Sequence, residues 1–389
     1  MSADAVYLDY AATTPPAPEV VAAMNAVLRD PLAFANPASI HAAGRAAAAV
    51  EARARASLAR LLGADPARLV WTSGATEADN QAIIGGARFR AHRGRHLVTL
   101  RTEHKAVVDA FGALEREGFE VSWLTPRGDG RLAAAELEAA LRPDTQLVSV
   151  MHVNNETGVV QDIAALGALC RERDILFHCD AAQSAGKLPL DLASLPVDLL
   201  SVSAHKLYGP AGIGALYLAA RDGCGVEPLL HGGGQQRRLR PGTLPVALIA
   251  GFGAAAELAA GRVEADLAHV HALRRRFVDG IAALPGLRIN ESREAQYPGI
   301  LNVSAAGVEG ESLLLALEPL CVASGSACNS LSGEPSYVLR ALGLDDALAQ
   351  ASIRLSFGRG TRAADIDFAL ATYISAVRQL RRIAPEAAA

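Results

Sequence analysis

The stretch Leu199–Pro210, LLSVSAHKLYGP, decides how the chain folds. Leu199 to Val202 are apolar and β-prone enough for a buried strand. Ser203, His205 and Lys206 arrive where that strand must end, and Gly209-Pro210 stops the element and opens a turn. In an α/β protein, the carboxyl end of a buried strand is where ligands bind. A lysine there is ordinarily a solvated loop residue. This chain, however, has only three lysines, Lys105, Lys187 and Lys206, and leaves its basic surface to arginine. A lysine kept against that bias suits a task arginine cannot do: losing its proton and attacking a carbonyl.

Outward from this stretch, strands alternate with helices. Pro18 to Arg29 reads as helix, and His41 to Leu62 as a longer one ended by Gly63. Leu69-Val70-Trp71 is a short strand running into Thr72-Ser73-Gly74-Ala75-Thr76-Glu77, with a helix from about Glu77 to Gly85. Further strands are expected at His96–Leu100, Phe119–Leu124, Leu147–Val153 and Ile175–His178, then the Lys206 strand and Gly214–Leu218. Helices fall between them at Val107–Gly118, Leu132–Leu141 and Ile163–Arg173. This alternation predicts an α/β fold with a mostly parallel sheet. Tyr7–Tyr10 alternates like a short strand. A long helix from Leu244 to Leu273 or beyond leads to a second unit. There Ile300–Val303 and Ile353–Phe357 read as strands, with Arg354 and Ser356 on one face. The last helix is amphipathic through Ile366, Leu370, Tyr373, Val377 and Leu380.

Polar residues follow five of the strands: Ser73 and Thr76, His104, Asn155, Asp180 and Gln183, and Ser203, His205 and Lys206. In a parallel sheet those ends share one edge, so the side chains can converge on one crevice. Each alone has an ordinary structural role; Asp180, for example, also reads as a turn or N-cap carboxylate. Together they fit pyridoxal phosphate, which needs a lysine amine, a carboxylate for its ring nitrogen and donors for its phosphate. Lys206 supplies the first and Asp180 the second. The Gly74-Ala75-Thr76 turn, with Ser203 and His205, suits the third, because a strand–turn–helix junction presents free N–H groups to an anion. Asn155 and Gln183 reach the phenolic oxygen, and His104 suits stacking on the ring and moving protons.

The 389 residues are half hydrophobic, without a long low-complexity run or an internal repeat, and suffice for two domains. A net charge of −4 offers no footprint for nucleic acid, and no eighteen-residue apolar run predicts a membrane span. The start, MSADAVYLDYAATTP, lacks a signal pattern, so a cytoplasmic location is expected. The five cysteines, Cys170, Cys179, Cys224, Cys321 and Cys328, are odd in number and scattered, which argues against a disulfide framework and against a metal site. Cys170 and Cys179 fall where packing explains them. Cys328 lies in Ser324–Gly333, a run of small polar residues that reads as an exposed, mobile loop and leaves its thiol able to act as a nucleophile.

The motifs YLDYAATTP, NPAS, TSGATEADN, TEHKAV, MHVNNETGVVQDI, HCDAAQSAGKLP, SAHKLYGPAGIGALY, HGGGQQRRLRPGTLP, VEGESLL, SGSAC, EPSYVLRALG and SIRLSFGR span nearly the whole chain. In them the chain resembles the NifS/IscS-like cysteine desulfurases, class V members of the fold-type I pyridoxal-phosphate enzymes. The resemblance implies a large cofactor-binding domain over residues 15–260. A smaller α+β domain would comprise 1–14 and 261–389 and carry the cysteine loop at about 324–334.

It implies Lys206 as the Schiff-base lysine and Asp180 on the pyridine nitrogen. Ala75, Thr76, Ser203 and His205 would hold the phosphate, His104 would stack on the ring, and Asn155 and Gln183 would meet its substituents. Thr243 would reach the phosphate of the neighbouring subunit, which makes a homodimer. Asn155 and Arg354 would bind the substrate carboxylate, and Cys328 would take the sulfur of L-cysteine as a persulfide, leaving L-alanine. The acceptor would be a protein such as an iron–sulfur scaffold or a thiolation partner.

Two departures stand out. The sequence stops soon after Arg382-Ile383-Ala384-Pro385, where IscS-type members carry a longer tail for docking the scaffold. Pro241 stands where many members have a small Ser or Ala. A selenocysteine lyase or another class V enzyme is the rival reading within enzymes; an aminotransferase needs no mobile thiol. A non-catalytic cofactor-binding scaffold is the rival outside them, and retention of both Lys206 and Cys328 argues against it.

Overall fold

A computed structural model describes residues 5–324 and 334–383. Strand β1 is Val6–Tyr7. Strands β2 (Leu69–Thr72), β3 (His96–Leu100), β4 (Glu120–Leu124), β5 (Thr145–Ser149), β6 (Leu176–Asp180), β7 (Leu199–Ser203) and β8 (Gly214–Leu218) form one seven-stranded sheet in the order β2-β8-β7-β6-β5-β3-β4. The pairs β7–β6, β6–β5, β5–β3 and β3–β4 are parallel, and β8 runs antiparallel to both its neighbours. The α/β architecture expected from the alternation is therefore the one that forms, with β8 as the single reversal.

Consecutive residues explain why helices cover both faces. Val70, Leu97, Leu147, Leu176 and Leu199 pack one way, against Ile83, Val107, Phe111 and Leu114. Their successors Trp71, Val98, Val148, Phe177 and Leu200 pack the other way, against Leu58, Leu62, Leu166 and Phe252. A strand's period of two delivers apolar side chains to both faces only when both neighbours in sequence are apolar, which these strands supply.

A second, antiparallel sheet comprises β9 (Leu287–Ile289), β10 (Ile300–Ala305), β12 (Ala323–Ser324) and β13 (Ser352–Ser356), in the order β12-β13-β10-β9. Strand β11 (Leu320–Cys321) pairs in parallel with β1. Leu301, Val303, Ile353 and Leu355 meet Leu273 and Phe277 of helix Val263–Ile281 and Ile366, Tyr373 and Val377 of helix Ala363–Ile383. Leu8 enters this core from the amino-terminal segment.

Three expectations need correction. The long helix from Leu244 is two helices, Val246–Ala260 and Val263–Ile281, bent by 74°. Gly261 at the break lowers helix propensity, and the two halves serve different cores: Ile249 and Phe252 cover the large sheet, Leu273 and Phe277 the small one. The strand expected over Leu147–Val153 ends at Ser149: Val150 and His152 N–H still bond to β6, but on the β3 side pairing stops and the Met151 N–H donates to Glu103 Oε1 instead. At the amino terminus only Val6–Tyr7 is strand, with Asp9 bridging to Ser356. Among the described residues, no single helix is long and apolar enough to cross a membrane. Cys170, Cys179, Cys224 and Cys321 are free thiols.

Candidate active site

The carboxyl ends of β2, β3, β5, β6 and β7 open onto a cavity of about 440 Å³. Ala75, Thr76, His104, Asn155, Asp180, Gln183, Ser203, His205, Lys206 and Arg354 all line it. Thr243 is exposed and lines no part of this cavity. Cys328 lies outside the described residues. Ser73, one of the polar residues expected at the strand ends, lines it as well; Ala11, Ala12, Glu77, Met151 and Gly212 also line the cavity and were not singled out from sequence.

Lys206 stands in a turn of 3-10 helix, Ala204–Lys206, directly after β7. Its Nζ donates to the carbonyls of Ala11 at 2.6 Å and Ala12 at 2.7 Å. The amino-terminal segment is stitched beneath it: Thr14 N–H and Oγ1 donate to His205 O, and Tyr208 N–H donates to Thr14 Oγ1. The small residues of YAATTP thus let a distant backbone approach the lysine closely.

Asp180 ends β6 and is buried. Burial pushes its carboxyl up, while the charges of His104 and Lys206 and the Ala182 N–H on Oδ1 pull it back. Two further buried acids lie nearby. Asp79, on helix Ala75–Asn80, and Glu103, after β3, are both held well above the usual carboxylate range by burial, reinforced by the charge of Asp180. No cation is among the causes acting on either, whereas the charges of His104 and Lys206 favour the ionised form of Asp180. His178, on the same face of β6 as Asp180, is neutral: burial pushes it down to about 3, and its ring nitrogens meet Ser149 Oγ and Ser201 Oγ. Sequence reasoning missed Asp79, Glu103 and His178 as members of the site.

His104 caps helix Lys105–Arg116, its Nδ1 accepting from Ala106 N–H at 3.2 Å. Burial pushes its pKa down, opposed by Asp180. A neutral ring that accepts at Nδ1 carries its proton on Nε2. His205 is also neutral, pushed down to about 4 by burial and by Lys206 and Lys187.

At the Ser73–Thr76 turn, the first helical N–H groups have no partner within the helix. Strand β8 passes directly beneath the turn. A Cβ on Gly214 would fall 2.6 Å from the Gly74 backbone, so only glycine permits this approach. Glu77 folds back to accept from Ser73 N–H and pairs with Arg240, tying the loop that holds Thr243 to the turn. Pro241 in that loop is buried against Gly232.

Arg354 comes from β13, across the cavity. It is buried, with Nη1 donating to Asn155 O at 2.9 Å and Nη2 paired with Asp9 Oδ1 at 2.7 Å. Ser356, on the same face, accepts from Ala11 N–H. Ser203 Oγ and Asn155 Oδ1 are buried cavity groups with no hydrogen-bond partner among the described residues. Buried polar atoms of this kind call for a polar ligand.

The class-V aminotransferase family model matches residues 6–368. The chain is 52% identical to cysteine desulfurase IscS of Vibrio campbellii over 381 residues, which is 98% of this chain and 94% of that one. Among solved structures, a NifS-like protein superposes with a TM-score of 0.89 at 33% identity, covering 97% of this chain and 100% of its own. SspA in complex with cysteine superposes with a TM-score of 0.79 at 38% identity, covering 91% and 99%. Likeness at this level, in sequence and in fold over nearly the whole length, means that the chain belongs to the class-V aminotransferase family and, within it, to the cysteine desulfurases.

Proposed function

We propose that the cavity binds pyridoxal phosphate on Lys206 and converts L-cysteine to L-alanine, leaving the sulfur as a persulfide on Cys328. The observation that carries this reading is the convergence of Lys206, Asp180 and the two unpartnered groups Ser203 Oγ and Asn155 Oδ1 on one cavity. The donor set fits the cofactor. The Ala75 and Thr76 N–H groups, Ser203 and His205 suit its phosphate, and charged Asp180 suits a protonated ring nitrogen. When bound, pyridoxal phosphate supplies an aldehyde that condenses with amines and a ring that delocalises a carbanion's charge.

The chain's own residues do the rest. Lys206 Nζ, held over Ala11 and Ala12, is placed to take the α-proton of the substrate. Arg354 orients the substrate carboxylate, with Asn155 beside it. His104 presents an Nε2–H at the cavity wall and can hand a proton to the leaving side. The Cys328 thiolate attacks the substrate Sγ; the S–S bond forms as Cβ–Sγ breaks, and the thiol's proton balances the alanine methyl group.

The same proposal includes a homodimer in which exposed Thr243 serves the neighbour's cofactor phosphate, a cytoplasmic location, and a protein acceptor from iron–sulfur assembly or thiolation. It divides the chain into a large unit, 15–260, and a small unit, 1–14 with 261–389. The test is borohydride reduction of the yellow protein followed by peptide mapping. The cofactor is expected on Lys206; a label on Lys105 or Lys187, the only other lysines, overturns the assignment.

A further inference from the structure

Lys187 is a half-buried cation that the chemistry above leaves unused. The turn after β6 is tight. Ser184 and Ala185 N–H donate to Ala181 O, and Lys187 and Leu188 N–H donate to Ser184 O. Gly186 makes the reversal at φ +72°, where a Cβ would also press on Ala259 at 3.1 Å. The turn returns Lys187 over Gln183, and Lys187 Nζ donates to Gln183 Oε1 at 2.9 Å. On its other side the amide's Nε2 donates to Ala11 O at 2.8 Å, the same carbonyl that accepts from Lys206.

We propose that Lys187 is a positioning residue whose ammonium fixes the Gln183 amide so that its nitrogen, and not its oxygen, faces the bound ring. The proposal rests on the reading of the cavity as a pyridoxal-phosphate site. An ammonium donates and never accepts, so it can hold only the oxygen end of the amide. The amide nitrogen carries two hydrogens. Ala11 O takes one, and the other remains for the ring's phenolic oxygen. A cation on the amide oxygen also polarises the amide and strengthens the N–H as a donor.

Lys187 stands behind Gln183: Gln183 lines the cavity and Lys187 does not. Among the described residues no carboxylate pairs with Lys187; its other neighbour is the face of Tyr297, 5.8 Å from the ring centroid. Desolvation pushes its pKa down to about 7, helped by the charges of Lys206 and Arg354, so the ammonium that fixes the amide is the majority form below that pH. A half-buried cation without a carboxylate partner still costs desolvation. An apolar side chain would serve packing alone at lower cost.

The experiment is a double-mutant cycle on the purified holoenzyme with Lys187→Met and Gln183→Ala, read by the pH midpoint of the visible absorption and by the dissociation constant of pyridoxal phosphate. Losing a fixed donor to the phenolic oxygen favours the protonated chromophore. Lys187→Met is therefore expected to raise the midpoint by about half a unit to one unit and to weaken cofactor binding roughly 3- to 10-fold. In the Gln183→Ala background the same substitution should change neither quantity.

Loss of the Lys187 charge alone would also raise the midpoint, but equally in both backgrounds. Equal shifts, or no shift in the wild-type background, overturn the proposal. If the methionine variant does not fold, Lys187→Gln is read in the same cycle, since a neutral amide no longer dictates the orientation of Gln183. A wild-type protein that takes up no pyridoxal phosphate would instead overturn the reading of the site, and with it the inference.

Discussion

Glu156 offers the sharpest test of the electrostatics around the cavity. It follows Asn155, is buried, and accepts from Ser336 Oγ at 2.5 Å. Burial pushes its pKa from 4.5 up to about 7, against the hydrogen bond from Ser336 and the charge of Arg354. The folded state therefore binds a proton that the unfolded chain has released between those two values. Stability must fall as pH rises through that window, and it levels off above the folded pKa. A shift of about 2.5 units corresponds to roughly 3 kcal/mol at full development.

Glu156→Gln keeps the shape and the acceptor for Ser336 but removes the titration. Urea unfolding of both proteins should show the glutamine variant gaining on wild type by about 2.5 kcal/mol between pH 5 and pH 8. Parallel unfolding energies across that range would refute the argument. They would mean that Arg354 holds Glu156 ionised throughout.

Cys328→Ala should keep the bound cofactor and its colour and still show a spectral change with L-cysteine. Its alanine production should drop by about two orders of magnitude or more, because no thiolate accepts the sulfur; alanine release near the wild-type rate would make the thiol a bystander. Thr243→Val should weaken cofactor retention, and in mixed dimers with Lys206→Ala the lesion should fall on the partner's site; a lesion confined to its own chain's site would remove the shared-site reading. Gly186→Ala should destabilise the fold by about 1–2 kcal/mol, from left-handed backbone and the 3.1 Å approach to Ala259, and a melting temperature equal to wild type would contradict it.

The strand ends were legible because each strand announces itself twice, by paired apolar residues and by the small or polar residue that stops it. Trp71 before Thr72-Ser73-Gly74 and Val202 before Ser203 are such junctions. Parallel strands share an edge, so nine expected residues besides Ser73 could be brought to one cavity without knowledge of the strand order. What remained hidden depends on long-range contact. Nothing local marks Ala11 and Ala12 as acceptors for a lysine some 195 residues away. Nothing local separates Asp79, whose carboxyl is pushed well up by burial, from an ordinary helix-surface acid. The bend at Gly261 was hidden for a similar reason: one glycine in an alanine-rich run reads as tolerated until each half is seen to face a different core.

The amino-terminal segment is where the two sheets become one site. Leu8 is fixed in the small core, and Asp9 pairs with Arg354 of β13. Two residues later Ala11 gives its N–H to Ser356, while its carbonyl accepts from both Gln183 and Lys206. Thr14 then binds the backbone beside Lys206. The guanidinium proposed for the substrate carboxylate and the amine proposed for the α-proton are therefore joined through Asp9 to Ala12, a span of four residues. A carboxylate arriving at Arg354 meets a cation already paired with Asp9, so it must share that guanidinium or displace the aspartate. Either event acts on the strip that holds Lys206 and Gln183. The two sheets thus meet at the site through this segment and through the direct bond from Arg354 to Asn155 O.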